Sequence, residues 1–206
     1  MSEPTTRATR IDRPLPWLLH WSIEDERIGG FRSDAYAVET PAGLLLIDAL
    51  PLEPELENEL EGVAGLFLTH GNHQRSAWRL RARFGAPVYA PAAAEGLDEE
   101  PAVRVDESTE LPGGLRAVTA DGFTDASYLV FEHADGTRAL FCGDLLCQDP
   151  GGPLRFPVQP DYFDRAGGEA DARRLLELSF DALCPAHAEP MVGGCRAALA
   201  GALAHP

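Results

Sequence analysis

The chain has 206 residues, enough for one domain that buries roughly two thirds or more of its unfolded surface without staples. The basic residues number 17, all arginine, against 33 acidic ones, and the formal net charge of −16 argues against DNA, RNA or an anionic membrane as partner. No apolar run approaches the ~18 residues of a membrane span, and Met1 to Arg7 lacks the apolar core of a signal peptide, so a cytoplasmic location is expected.

Residues 1–13 are polar and read as a loose tail. Pro14 to Ile23 reads as an opening strand, and Asp34 to Thr40 and Gly43 to Asp48 as a hairpin closed at Pro41-Ala42. The continuous apolar run Leu44-Leu45-Leu46-Ile47 implies burial on both faces, inside a layered sheet. Glu53 to Glu61 is acidic and weakly periodic. Leu66 to Thr69 is a strand, Gln74 to Phe84 a helix ended by Gly85, and Pro87 to Ala90 a returning strand, together a βαβ pattern.

From Val103 the pattern turns to β: Val103 to Val105, Leu115 to Val118, Ser127 to Phe131 and Arg138 to Phe141. The last two are joined across Asp135-Gly136, a strong hairpin signal that places His133 at an exposed hairpin position. A Pro/Gly-rich loop runs from Asp149 to about Pro160 and leads to Tyr162 and Phe163. Glu169 to Leu178 reads as a helix, Phe180 to Cys184 as a short strand, and Arg196 to Ala204 as a closing helix. Cys142, Cys147, Cys184 and Cys195 form no C-x-x-C pair and read as reduced thiols. Strand alternation puts Cys142 on the same face as Asp144, although a small buried side chain is its expected role.

Three apolar runs end in side chains able to bind metal: Leu66-Phe67-Leu68-Thr69-His70-Gly71-Asn72-His73, Leu140-Phe141-Cys142-Gly143-Asp144 and Leu183-Cys184-Pro185-Ala186-His187. In order and surroundings they resemble the metallo-β-lactamase superfamily from about Asp34 to the C-terminus. That family's first metal-binding segment reads His-x-His-x-Asp-His, followed by a separate His, an Asp in a Gly-Asp pair and a last His. The resemblance implies a single-domain α/β fold, an αββα sandwich, and a metal pair that activates water for hydrolysis. His70, Asp144 and His187 match the pattern. Asn72, Gln74 and Arg75 stand where the family has His, Asp and His, and Phe123 where the separate His is expected. Losing four ligands should cost at least ~10⁴-fold in metal affinity if the effects partly add, so a tight dinuclear zinc site is not expected.

The expected site is therefore a pocket of His70, Asn72, His73, Gln74, Arg75, Phe123, Asp144 and His187, binding a small molecule or anion with little or no metal-dependent hydrolysis and no cofactor. One alternative is a mononuclear zinc or iron hydrolase of small esters or thioesters, with His70, His73, Asp144 and His187 as ligands. Another is a structural or interaction protein in which these residues only hold loops together. Whether the chain is an enzyme, and its oligomeric state, are left open by the sequence. Two placements are open for Arg75: paired with Asp144 in place of a metal, or pointing to solvent. The loop from Asp149 to Phe163, with Phe156, Tyr162 and Phe163, is expected to cover the pocket mouth.

Overall fold

The computed structural model describes residues 3–158 and 162–204. Gln159, Pro160 and Asp161 of the expected pocket loop lie outside the described residues, as do Met1 and Ser2 of the expected tail. Two sheets stack face to face. The first contains β1 (Asp12–Leu15), β2 (Leu18–Asp25), β3 (Phe31–Thr40), β4 (Gly43–Ile47), β5 (Val63–Phe67), β6 (Val88–Pro91) and β7 (Val103–Val105) in sequence order. Its pairs are antiparallel from β1 to β4 and parallel from β4 to β7. The parallel crossovers carry the short helix α1 (Pro54–Glu57) and the helix α2 (Ala77–Phe84).

The second sheet contains β8 (Leu115–Thr119), β9 (Ser127–Glu132), β10 (Arg138–Gln148), β11 (Leu154–Arg155), β12 (Ala182–His187) and β13 (Met191–Val192). Its order is β13-β12-β10-β9-β8, with β11 also paired to β10. Helices α3 (Arg165–Leu175) and α4 (Cys195–Ala204) pack on its outer face.

Side-chain alternation builds three apolar layers from these strands. In β3 and β4, Tyr36, Val38, Leu45 and Ile47 point between the sheets, against Leu129, Phe131, Phe141 and Cys184 of the second sheet. Ala35, Ala37, Leu44 and Leu46 point the other way, with Trp78 and Leu80 of α2. The expected αββα sandwich and the doubly buried β4 are thus what the chain forms. Among the described residues no helix is long and apolar enough to cross a membrane.

Several boundaries differ from the sequence reading, each for a local reason. The opening strand is two strands, broken at the turn Pro16-Trp17. The helix expected from Gln74 starts at Ala77, because Gly71–Gln74 forms a separate 3-10 turn and Arg75 adopts φ 34°. β10 runs through Gly143-Asp144 to Gln148 rather than stopping at Phe141. His133 is half-buried, stacked on Trp17 with ring centroids 5.2 Å apart.

The described part of the expected loose tail is held down. Ala8 is buried and pairs with the segment after β4, its N–H donating to the Pro51 carbonyl and its own carbonyl accepting from the Glu53 N–H. Glu3 accepts from Arg79 Nε at 2.8 Å, and Arg79 also grips the buried Glu57 at 2.7 and 2.8 Å. Arg83 adds a third contact to Glu57 at 2.9 Å. The segment is held by ion pairs and backbone bonds together with burial of Ala8 and packing of Ile11 on the first apolar layer, and the polar sequence pattern does not distinguish that from disorder.

Burial opposes the charge on Glu57, but the hydrogen bonds and charge of Arg79, with Arg83, hold its carboxyl below the ordinary value. Glu57→Ala should therefore destabilise the fold by about 1.5–3 kcal/mol at pH 7, the usual worth of hydrogen bonds to a charged group. A depressed carboxylate stabilises fully above its unfolded value of ~4.3 and loses that stabilisation as pH falls through its folded value. Urea unfolding of both proteins should thus give a constant difference between pH 7 and about 5.5 that shrinks toward pH 3. A difference that does not change with pH would contradict this role for Glu57.

Candidate functional site

The C-terminal ends of β4, β5 and β12 and a bulge in β10 meet at one edge of the sandwich, the position where open α/β sheets expose side chains to a crevice. Three donors converge there: His73 Nε2, Asp144 Oδ1 and His187 Nε2. His73 Nε2 lies 3.0 Å from Asp144 Oδ1 and His187 Nε2 lies 3.3 Å from the same oxygen. The three residues form a cluster whose ligand atoms all lie within 4.8 Å of one another.

Gly143 creates this convergence. It takes φ 50°, and the pairing of β10 with β12 shifts register on both sides of it. A Cβ at this position would meet Thr69 Oγ1 at 2.8 Å. The bulge breaks strand alternation, so Cys142 turns into the apolar layer beneath α3 and α4 while Asp144 faces the crevice. The expectation that the two share a face is corrected by that one residue, and the buried Cys142 thiol is pushed above its ordinary range by burial.

Each imidazole is anchored by its other nitrogen. His73 Nδ1 lies 3.0 Å from Asp48 Oδ2, and His187 Nδ1 lies 2.6 Å from the Arg32 carbonyl oxygen. Both partners only accept, so both Nδ1 atoms carry the proton. Asp48, at φ 51° just past β4, is itself fixed by the Thr69 N–H at 2.8 Å and the Thr69 hydroxyl at 2.5 Å. Burial opposes charge on Asp144, and His73 and His187 nevertheless hold it well below the carboxylate range. Burial likewise opposes protonation of His73, but Asp144 and Asp48 raise it to about 9. Asp48 is lowered against burial by His73. The Tyr162 hydroxyl donates to Asp144 Oδ2.

The other residues singled out in the sequence divide. Asn72, His73, Arg75, Asp144 and His187 line a cavity of about 450 Å³ together with Tyr162. His70 stands outside the converging cluster: its Nδ1 accepts from the Asn72 N–H at 3.0 Å and its Nε2 faces Asp125 Oδ1 at 3.0 Å. Phe123 packs edge-on to His70 and against Tyr162. Gln74 turns away, its Oε1 accepting from Trp78 Nε1 at 2.8 Å and the Asp98 N–H at 2.7 Å.

Neither placement considered for Arg75 is found. It is buried, and Nη1 donates to the carbonyl oxygens of Asp34 at 2.8 Å and Asp48 at 3.0 Å. The side chain that faces Asp144 is His73, at 3.0 Å. Of the loop aromatics, Phe156 and Phe163 are buried in the apolar layer under α3, and Tyr162 alone of the three reaches the cavity. Asp48 and Arg32 were not picked out from the sequence, although Leu44-Leu45-Leu46-Ile47-Asp48 has the same form, an apolar strand ending in a ligand-type side chain, as the runs that were.

The sequence matches the family model of the metallo-β-lactamase superfamily over residues 28–187. The chain belongs to that superfamily. Among solved structures, DIM-1 metallo-β-lactamase exposed to ceftazidime superposes with TM-score 0.73 at 14% identity, covering 97% of each chain. A metallo-β-lactamase from Pontibacter korlensis gives 0.73 at 19%, covering 96% of this chain and 99% of that one. An archaeal metallo-β-lactamase superfamily protein from Sulfolobus tokodaii gives 0.67 at 17%, covering 93% and 86%. Identities this low carry the fold alone, and no curated protein matches the sequence.

In this superfamily member the Gly-Asp pair is a bulge that depends on a left-handed glycine. Gly143→Ala should cost about 1–3 kcal/mol for the backbone conformation, with the contact at Thr69 in addition. Gly136→Ala is a control for backbone alone, since Gly136 has φ 86° and open space around its Cβ position. Thermal unfolding should show the larger loss at Gly143. Equal losses would mean that Thr69 does not crowd the bulge.

Proposed function

We propose that His73, Asp144 and His187 hold one divalent ion and that the cavity beside them takes a small ester or thioester for hydrolysis. The observation that carries this reading is Asp144 Oδ1, a buried carboxylate oxygen with no aligned hydrogen bond although two imidazole nitrogens face it. Both imidazoles have committed their Nδ1 protons elsewhere, so two neutral rings would turn lone pairs toward a carboxylate. A shared cation resolves that arrangement, and the carboxylate-histidine pairing of Asp48 with His73 is the type of outer support that metal-ligating histidines have. His/Asp/His is a donor set that zinc accepts, with room for a further ligand.

When bound, the ion would supply Lewis-acid charge that polarises a substrate carbonyl oxygen. Asp48 and the Arg32 carbonyl hold the two rings in the required tautomer. Tyr162 and Asn72 wall the cavity where a substrate would lie, and Asp144 keeps a negative charge at its floor. One ion rather than two is favoured because Gln74 is turned away and Phe123, where a further ligand is expected, offers no donor atom.

A second reading has a specific observation behind it. A His73 proton retained up to about pH 9 lets an imidazolium bridge Asp48 and Asp144 without metal, leaving a pocket that binds a small molecule and does not hydrolyse it. Metal analysis separates the two. Protein purified without chelators or a nickel column should carry about one equivalent of zinc or iron, reduced at least ~10-fold in affinity by Asp48→Asn and little changed by His70→Ala. No bound metal would favour the second reading, and two equivalents would overturn both.

A further inference from the structure

Three arginines line the cavity, Arg27, Arg75 and Arg155. Two have carboxylates on their forks. Arg27 bonds Asp25 through Nε at 2.8 Å and Nη2 at 2.5 Å, and Arg155 bonds Asp149 through Nε at 2.7 Å and Nη2 at 2.8 Å. Arg75 is different. Its Nη1 is used by the carbonyls of Asp34 and Asp48, while its Nε–H is buried with no hydrogen-bond partner. Among the described residues nothing accepts from Nη2 and no carboxylate pairs with the guanidinium.

The free pair matters because Nε–H and Nη2–H lie on one edge of the planar guanidinium and point the same way. That edge matches the two oxygens of a carboxylate. Nη1 alone would serve as a clamp between the ends of β3 and β4, and lysine could do as much. A clamp does not explain a buried donor left empty on the side of the guanidinium away from the clamp. Nor does it explain why the chain holds a non-glycine residue at φ 34°, ψ −112° here, a conformation that is kept where surrounding structure enforces it and that clusters at ligand sites.

We propose that the Nε/Nη2 edge of Arg75 binds a carboxylate carried by the small-molecule ligand, making the cavity selective for anionic substrates. This rests on the reading of the cavity as the ligand site and not on the presence of the ion. A carboxylate seated on Arg75 would fix one end of a ligand next to the His73, Asp144 and His187 cluster, leaving the other end to face those three residues. The cavity, at about 450 Å³, suits a molecule of that kind. The planar fork would discriminate against neutral isosteres, because an amide cannot match both donors with two acceptors.

The test uses the full chain freed of metal and the probe acetate, with acetamide as its neutral isostere. Acetate should shift one arginine Nε–H resonance in a saturable manner, that of Arg75, assigned through bonds to its own side-chain carbons; acetamide should not. Arg75→Lys should keep the clamp and lose the fork, weakening acetate binding at least ~10-fold, or about 1.4 kcal/mol. Zinc affinity of the same variant, measured by chelator competition, should change by less than about 3-fold, since Arg75 is not among the converging donors. Absence of a saturable shift, a shift at Arg27 or Arg155 instead, or equal acetate binding by Arg75→Lys would overturn the proposal. If the variant does not fold, the wild-type resonance alone decides. Acetate binding at Arg75 in a protein that takes up no zinc would end the one-ion reading and leave this one standing.

Discussion

The site depends on one buried oxygen. Asp144 Oδ1 sits below two imidazole nitrogens at 3.0 and 3.3 Å, and the surrounding structure keeps all three atoms in place. Asp48 and Thr69 fix His73 from the first sheet, the Arg32 carbonyl fixes His187 from the same sheet, and the Gly143 bulge presents Asp144 from the second. The cluster therefore joins the two layers of the sandwich. A buried carboxylate is tolerated only with close positive partners, and removing one partner of such a pair commonly costs about 3–5 kcal/mol. Here the partners are histidines, whose charge can be given up.

That property separates His73 from arginine as the neighbour of Asp144. A guanidinium is charged at all accessible pH values and would keep a cation out, whereas an imidazole can exchange its proton for a metal. The chain places Arg75 away from Asp144, on backbone carbonyls, and places the exchangeable group against the carboxylate. On the one-ion reading, a divalent ion would take the place of the His73 proton that Asp144 and Asp48 favour, so uptake would release a proton.

Much of the fold was legible because its signals are local and strong. The apolar run Leu44 to Ile47 needs burial on both faces, and alternation in β3 and β4 sorts side chains into the inner and outer layers. Asp135-Gly136 marks the β9-β10 hairpin. The N-terminal segment was misread because Glu3 and Ala8 are held by partners at Arg79, Pro51 and Glu53, which no local pattern reveals. At the site, strand ends identified His70, Asp144 and His187, of which His70 stands outside the cluster, while His73 entered as a metal ligand only in the mononuclear alternative; the same rule applied to Ile47-Asp48 would have found Asp48. The orientations were not legible. Whether Gln74 faces Trp78 or the crevice, and whether Arg75 meets a carboxylate or two carbonyls, depends on the left-handed turn at Arg75, for which arginine gives no sequence signal.

The central claim is that one ion belongs to His73, Asp144 and His187. Anomalous diffraction at the zinc edge, from crystals grown with zinc, tests it most directly. The account predicts a single strong peak within ligand distance, ~2.0–2.2 Å, of His73 Nε2, Asp144 Oδ1 and His187 Nε2. A peak on His70 and Asp125, two peaks in the crevice, or none at saturating zinc would contradict it.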